Sequence, residues 1–184
     1  MKTFPALLCA IGVGLTAGCY SVEQSNVERG YRWIRRGETD KAISTFSHTV
    51  RKYPESVLGY TGLGDALFEA QRDRDAIDAY SRAIALLEIA KPESVRRDPA
   101  EIVGGRLLSY QNQGLRFPFG LEPYLYLRRG KAYDALAKAV PGFDAVSFRS
   151  AVADYNRALK LSPDYAAARD ARNRLLKEGK EPNQ

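Results

Sequence analysis

Few side chains in this sequence could serve as catalytic nucleophiles or bases. His48 is the only histidine among the 184 residues, and Cys9 and Cys19 are the only cysteines. A histidine can act as a general base and a thiolate as a nucleophile. His48 stands in a run with helical periodicity, which favours a surface residue over a base. Cys9 lies inside an apolar N-terminal stretch and Cys19 lies at its end, so neither thiol is predicted to act as a catalytic nucleophile.

Neither the carboxylates nor the glycines form a recognisable metal or phosphate site. Asp73, Asp75 and Asp78 are spaced like ligands, but a calcium loop needs a glutamate about twelve positions from its first ligand, where Ile84 stands. Such negative charge suits the start of a helix. Gly104–Gly105 lacks the lysine and hydroxyl residue that follow in a phosphate loop. The sequence therefore predicts no metal, no cofactor and no enzymatic activity.

The elements that would position these residues show a regular spacing of small side chains. Gly30 and Gly64 are 34 residues apart, as are Ala42 and Ala76. A period of about 34 residues is typical of paired helices that stack into a superhelix. A small, an aromatic and a second small residue also recur at offsets that share one helix face. The three copies are Ala42, Phe46 and Thr49, then Ala76, Tyr80 and Ala83, then Ala151, Tyr155 and Ala158.

This pattern resembles the tetratricopeptide repeat (TPR), a family of antiparallel helical hairpins. The resemblance covers repeats 1 and 2 within 23–90, repeat 3 at about 122–165, a capping helix at 164–178 and a tail at 179–184. Gly130 and Ala151 are 21 residues apart rather than 12, which predicts an internal loop near 139–147 in repeat 3. The resemblance to the TPR family implies an all-α fold in which about three hairpins stack into a short right-handed superhelix. The alternative is an unrelated helical bundle.

The resemblance implies a protein-binding groove rather than an active site. In this family the groove wall comes mainly from the first helix of each repeat. Carried over by position, the groove residues are Tyr31, Arg35, Asp65, Phe68, Glu69, Tyr124, Lys131 and Asp134. Some members clamp a C-terminal carboxylate with a set of lysine, arginine and asparagine side chains. That set is not evident here, so a C-terminal carboxylate is not predicted as the ligand.

The N-terminus predicts export and lipid attachment. Residues 1–18 combine one basic residue, Lys2, with an apolar run that is too short to span a bilayer, as in a secretory signal peptide. Leu15, Thr16, Ala17 and Gly18 precede Cys19, which resembles the lipobox of bacterial lipoproteins. The resemblance implies cleavage before Cys19, palmitate and a diacylglyceryl group on that residue, and a lipidated tether at 19–26. An ordinary secretory signal and a cytosolic protein with an apolar start are the alternatives.

The segment 91–121 does not fit the repeat. Its prolines and glycines predict an irregular insertion, which in a compact domain is often functional. Arg116, Phe117 and Phe119 have the composition of an interface, because aromatic residues and arginine are enriched there. They could contact a partner or fill the protein's own groove, and both interpretations stay open.

Charge and compartment complete the prediction. The formal net charge is +6, with arginines grouped on the first and last predicted helices. The sequence predicts a scaffold or adaptor of the bacterial cell envelope, anchored by its acyl chains in the outer membrane and facing the periplasm. It would bind other envelope proteins, and no nucleic acid, in assembly of outer-membrane, pilus, secretion or cell-wall machinery. The alternative is a lipid-anchored enzyme or ligand-binding protein that uses the insertion.

Overall fold

The computed structural model describes residues 12–90, 120–139 and 144–179, and these ranges fold into helices without a strand. The helices are α1 (Gly12–Arg35), α2 (Thr39–Lys52), α3 (Val57–Glu69), α4 (Asp73–Ala90), α5 (Leu121–Ala139), α6 (Ala145–Leu161) and α7 (Ala166–Glu178). The all-α prediction is therefore confirmed. Most of the predicted insertion, the centre of the loop near 139–147 and nearly all of the tail lie outside the described residues.

Consecutive helices pair into hairpins, and the hairpins stack in chain order. α1 packs on α2, α3 on α4, and α5 on α6. Between hairpins, α2 contacts α3, α4 contacts α5, and α6 contacts α7. The first helices also touch one another, α1 with α3 and α3 with α5, so they form one row along the stack. This confirms three stacked hairpins with a C-terminal helix, and it places the first helices where a groove would lie.

The turns inside the first two hairpins have the same backbone geometry. Gly37 and Gln71 are 34 residues apart and have φ angles of 73° and 59°. The amide of Gly37 donates to the carbonyl of Ile34 at 2.9 Å, and that of Gln71 donates to Phe68 at 3.0 Å. A positive φ is easy for glycine and costly for a side chain. The repeat therefore extends to backbone geometry as well as side-chain spacing.

Each repeat glycine faces an aromatic ring of its partner helix. An added Cβ would lie 2.4 Å from the Phe46 ring at Gly30, 2.6 Å from the Tyr80 ring at Gly64, and within 2.8 Å of Tyr155 at Gly130. All three aromatic residues are fully buried. A glycine in a helix can allow two backbones to approach closely. The structure shows that it makes room for the aromatic residue four positions after the repeat alanine.

Residues 19–26, predicted as a tether, belong to α1. At the end of this segment, the hydroxyl of Ser56 donates a hydrogen bond to Glu23, and Asn26 is buried at 8% exposure. This part of the segment is therefore packed helix rather than an extended linker, because its side chains contact the start of α3. Lipidation of Cys19 and cleavage after residue 18 stay predictions. In the part of the chain that the structure describes, no helix is both long and apolar enough to cross a membrane.

Candidate functional site

The predicted groove residues lie on the row of first helices. Tyr31 and Arg35 are on α1, while Asp65, Phe68 and Glu69 are on α3. On α5 are Tyr124, Lys131 and Asp134. The structure brings Tyr31, Asp65 and Tyr124 into direct contact, leaves Arg35 exposed at the end of α1, and places Asp134 in a separate cluster.

Asp65 is the centre of a buried cluster. Its Oδ2 accepts hydrogen bonds from the hydroxyls of Tyr31 at 3.1 Å and Tyr124 at 2.9 Å. Its Oδ1 accepts from the hydroxyl of Tyr80 at 2.7 Å and from Nε of Arg128 at 2.9 Å. An ionised carboxylate has about four acceptor positions. Four donors on α1, α4 and α5 therefore satisfy Asp65 of α3, which is 3% exposed. These five residues are called the Asp65 cluster below.

The cluster favours neutral phenols around one charged pair. Burial, followed by the negative charge of Asp65, raises the pKa of Tyr31, Tyr80 and Tyr124 well above that of a free tyrosine. Burial, the largest single effect, lowers the pKa of Arg128, but the combined attraction of Asp65, Tyr80 and Tyr124 outweighs it, so the net shift of the pKa is upward. The three hydroxyls are therefore held protonated as donors, and Arg128 is held as a cation.

Arg128 extends the cluster to two of the predicted groove residues. Its guanidinium carbon lies 4.7 Å from the centre of the Phe68 ring, a cation–π distance. Its Nη2 lies 3.4 Å from the carboxylate of Glu69. Since the Arg128 side chain is only 15% exposed, its charge is neutralised mainly by residues of this chain.

Lys131 is a further cation of the first-helix row. It is half-buried one turn after Arg128, and no described carboxylate forms an ion pair with it. Burial lowers the pKa of Lys131, and repulsion from Arg128 and then Arg174 lowers it further, against a smaller opposing effect of Glu69. The end of the groove near α7 is therefore electropositive.

Asp134 ties α5 to the end of the stack. Its carboxylate lies 2.8 Å from Nζ of Lys138, which also pairs with Glu178 of α7 at 2.6 Å. The Tyr155 hydroxyl of α6 donates to Asp134 at 3.5 Å. Asp134 is 5% exposed, comparable with Asp65 at 3%, and its contribution to a groove stays a prediction. Its neighbours on α6 and α7 cover it.

Two members of the Asp65 cluster were not predicted from the sequence. Tyr80 was assigned to the core for its aromatic ring, and its hydroxyl was not considered. Arg128 was not among the predicted groove residues. Alignment of the repeats is the sequence signal that could identify these two residues. Tyr80 corresponds to Phe46 of repeat 1, and Arg128 corresponds to Gly62 of repeat 2. A polar group at both positions of one junction indicates a polar contact there.

The residues considered for catalysis do not converge. His48 is exposed on α2. Within the described ranges, no three histidine, cysteine, aspartate or glutamate side chains are placed to hold a metal ion. Arg116, Phe117 and Phe119 lie outside the described residues, so their predicted role stays a prediction.

The stacked hairpins and their glycine–aromatic contacts define an α-helical repeat protein. Comparison with solved structures specifies the repeat, because the similar chains are TPR domains. They include the first TPR domain of human RPAP3 (TM-score 0.61, 19% identity, 87% of this chain and 94% of that chain). Another is the Arabidopsis OM64 TPR domain, with a TM-score of 0.59 and 19% identity, covering 86% of this chain and 98% of that chain. A third is the second TPR domain of human RPAP3 in complex with an HSP70 peptide. Its TM-score is 0.58 and its identity is 18%, covering 85% of this chain and 97% of that chain.

The protein therefore has the TPR fold. At this level of identity the likeness establishes the fold and not the partner. No protein-family model matches the chain, and no curated protein matches it in sequence.

Proposed function

We propose that this protein is an interaction scaffold whose groove binds an extended or helical segment of another protein. The observation that carries the proposal is the composition of the first-helix row. Tyr31, Phe68 and Tyr124 are half-buried on this row, which also carries Lys131, a cation without an ion pair among the described residues. Interfaces are enriched in aromatic side chains, which bury a large area at low entropic cost.

A structural neighbour supports peptide binding as the general mode. The second TPR domain of human RPAP3 was solved with the HSP70 peptide SGPTIEEVD. In this chain, however, Asp65 already occupies the donors of Tyr31, Tyr124 and Arg128. We therefore place the partner segment over Phe68 and toward Lys131, and we do not assign a C-terminal carboxylate to the Asp65 cluster.

Site-specific crosslinking in intact cells tests the groove. A photoreactive phenylalanine analogue replaces Glu69, which is exposed beside Phe68, or His48, which is exposed on the second helix α2. We expect a discrete protein adduct from position 69 that is lost when Lys131→Glu is added. Equal adducts from both positions, or an adduct indifferent to Lys131→Glu, would count against a groove-bound partner.

We further propose that the scaffold works in the bacterial cell envelope. The support is the N-terminal sequence, in which an apolar run ends at Leu15, Thr16, Ala17 and Gly18 before Cys19. Two or three acyl chains would hold the protein on a membrane, since a single myristoyl chain binds only marginally. The residue after the cysteine is Tyr20 rather than aspartate, which in lipoprotein sorting favours the outer membrane, with the repeats in the periplasm.

The two cysteines provide a matched test of the anchor. Cys19→Ala should abolish palmitate labelling and move the protein from the membrane fraction to the soluble fraction. Cys9→Ala should leave both unchanged, because Cys9 would be removed with residues 1–18. Continued labelling of the Cys19→Ala protein would refute the lipobox interpretation and leave the groove proposal intact.

A further inference from the structure

A surface notch opens between α2, α3 and α4, on the outer side of the stack. Its floor includes the apolar side chains of Ile43, Tyr60 and Leu63, and its rim includes Ser47 and Asp78. Leu63 precedes Asp65 by two residues, and two residues turn an α-helix by about 200°. The notch is therefore on the opposite side of α3 from the Asp65 cluster and is independent of the proposed groove. We call it the first notch.

The chain contains a second copy of this notch between α4, α5 and α6. The repeat alignment relates Ser47 to Ser81, Tyr60 to Tyr126, Leu63 to Arg129, and Ala79 to Asp154. The serine and the tyrosine are therefore kept in both notches, and the leucine and the alanine are replaced by an arginine and an aspartate.

In the second notch the guanidinium of Arg129 fills the space. Its Nε and Nη2 each lie 2.7 Å from a carboxylate oxygen of Asp154, which is a bidentate pair. Its Nη1 donates to the hydroxyl of Ser81 at 3.0 Å. Its carbon lies 5.5 Å from the centre of the Tyr126 ring. A ring, a hydroxyl and a carboxylate thus bind one guanidinium.

The first notch has the hydroxyl and the ring at the same repeat positions and a carboxylate at a different one, and it lacks the guanidinium. Ser47 and Tyr60 provide the hydroxyl and the ring, and both are only partly buried. The carboxylate comes from Asp78, which is exposed and forms no ion pair with any described residue. The other charges on the rim cancel, because Arg72 is paired with Asp75 at 2.8 Å. The rim is therefore acidic around an apolar floor.

We propose that the first notch binds an arginine side chain presented by a partner protein. The guanidinium stacks on Tyr60, donates to the hydroxyl of Ser47 and pairs with Asp78, while apolar neighbours of the arginine contact Ile43 and Leu63. Arginine is favoured over lysine because its planar fork stacks on rings and bridges two acceptors at once. The chain's own Arg129 shows that this geometry accepts a guanidinium.

The test is an NMR titration of the isotope-labelled full chain in mild detergent. The probe is the peptide acetyl-Leu-Arg-Leu-amide, and the matched peptides carry lysine or the uncharged isostere citrulline instead of arginine. We expect saturable shift changes at the amides of Ser47, Tyr60 and Asp78 with the arginine peptide. Weaker changes are expected with lysine and none with citrulline.

Variants connect these shifts to the notch. Asp78→Asn should weaken binding of the arginine peptide by about tenfold, the effect of losing one charge-assisted contact. Asp170→Asn, which neutralises an exposed aspartate on α7, should leave it unchanged. No saturable change up to about 10 mM, equal changes with citrulline, or no effect of Asp78→Asn would overturn the proposal.

A second variant fills the notch from within. Leu63→Arg combined with Ala79→Asp copies the Arg129–Asp154 pair of the second notch. This protein should keep the parent's circular dichroism and lose binding of the arginine peptide. Because Ala79 is buried, Leu63→Arg alone is the fallback, with its guanidinium placed beside Asp78. Retained peptide binding at Ser47 and Tyr60 in either folded variant contradicts the proposal.

Discussion

The two junctions between repeats share a backbone arrangement and differ in chemistry. At the first junction, where α2 packs on α3, the ring of Phe46 lies against Gly62, where an added Cβ would be 2.1 Å from the ring. At the second junction, where α4 packs on α5, the corresponding residues are Tyr80 and Arg128, and they are joined by a 3.1 Å hydrogen bond. The first junction is a packed apolar contact, and the second is a buried polar one.

The connections across the two junctions differ in the same way. Residues 53–56 link α2 to α3, whereas residues 91–120 link α4 to α5. A short link keeps neighbouring helices together, while closing a long loop costs more conformational entropy. Apolar packing tolerates many registers, but hydrogen bonds to Asp65 require one. We interpret the Asp65 cluster as the device that selects the position of repeat 3 on repeat 2.

The strongest way to break the second junction is Asp65→Ala. Arg128 would keep its charge with a side chain that is only 15% exposed, and three buried hydroxyls would lose their acceptor. Removing one partner of a buried ion pair costs roughly 3–5 kcal/mol. We expect a loss of that size in the free energy of unfolding, measured by urea denaturation. Glu69→Ala is the matched control, because Glu69 is 49% exposed and should cost no more than about 1 kcal/mol.

The first junction is broken by Gly62→Ala, with a smaller effect. Alanine is favoured in a helix by about 1 kcal/mol over glycine. Overpacking a filled core costs about 1–3 kcal/mol, and a contact of 2.1 Å with the fully buried Phe46 ring belongs at the severe end. We therefore expect a net loss of about 1–2 kcal/mol in thermal or urea unfolding.

A second substitution checks the cause of that loss. In a Phe46→Leu background the ring is gone, so Gly62→Ala should cost less than in the parent. Independent, additive losses in the double variant would mean that the Phe46 ring does not limit the approach of α3.

The pH dependence of stability tests the second junction through a single hydroxyl, that of Tyr124. Burial, and then Asp65, raises the pKa of Tyr124 in the folded state. Its stabilising effect is therefore complete below the unfolded value of about 10 and is lost as pH rises toward the folded pKa. In that window each such phenol lowers the free energy of unfolding by about 1.4 kcal/mol per pH unit.

Tyr124→Phe removes one of these phenols and should make the alkaline slope shallower by about that amount. Urea unfolding between about pH 9 and about pH 11 measures it. Tyr53→Phe, which removes a phenol outside the Asp65 cluster, is the control. If both variants have the same slope, Tyr124 does not keep its proton in the fold through burial near Asp65.

The sequence predicts the hairpins well because their cause is local. The offsets within Ala42, Phe46 and Thr49 place three side chains on one helix face, whatever the rest of the chain does. Position in the repeat placed Tyr31, Asp65 and Tyr124 on the first helices as groove residues, but it did not predict that they contact one another. The roles of Tyr80 and Arg128 could not be read in the same way, because they depend on a contact between residues 48 positions apart. The contact of Asp134 with Tyr155 is hidden from the repeat pattern for a related reason, since the two residues are on different helices and 21 positions apart.

The continuity of α1 limits where this protein can work if Cys19 is acylated. The buried Asn26 is seven positions after Cys19, and a helix rises 1.5 Å per residue, so about 10 Å of helix lies between the bilayer anchor and the packed repeats. A helix of that length allows the repeats to move only within a very small volume at the membrane. Partners would then have to come to the membrane surface themselves, and two-dimensional encounter rather than capture from bulk solution would govern binding.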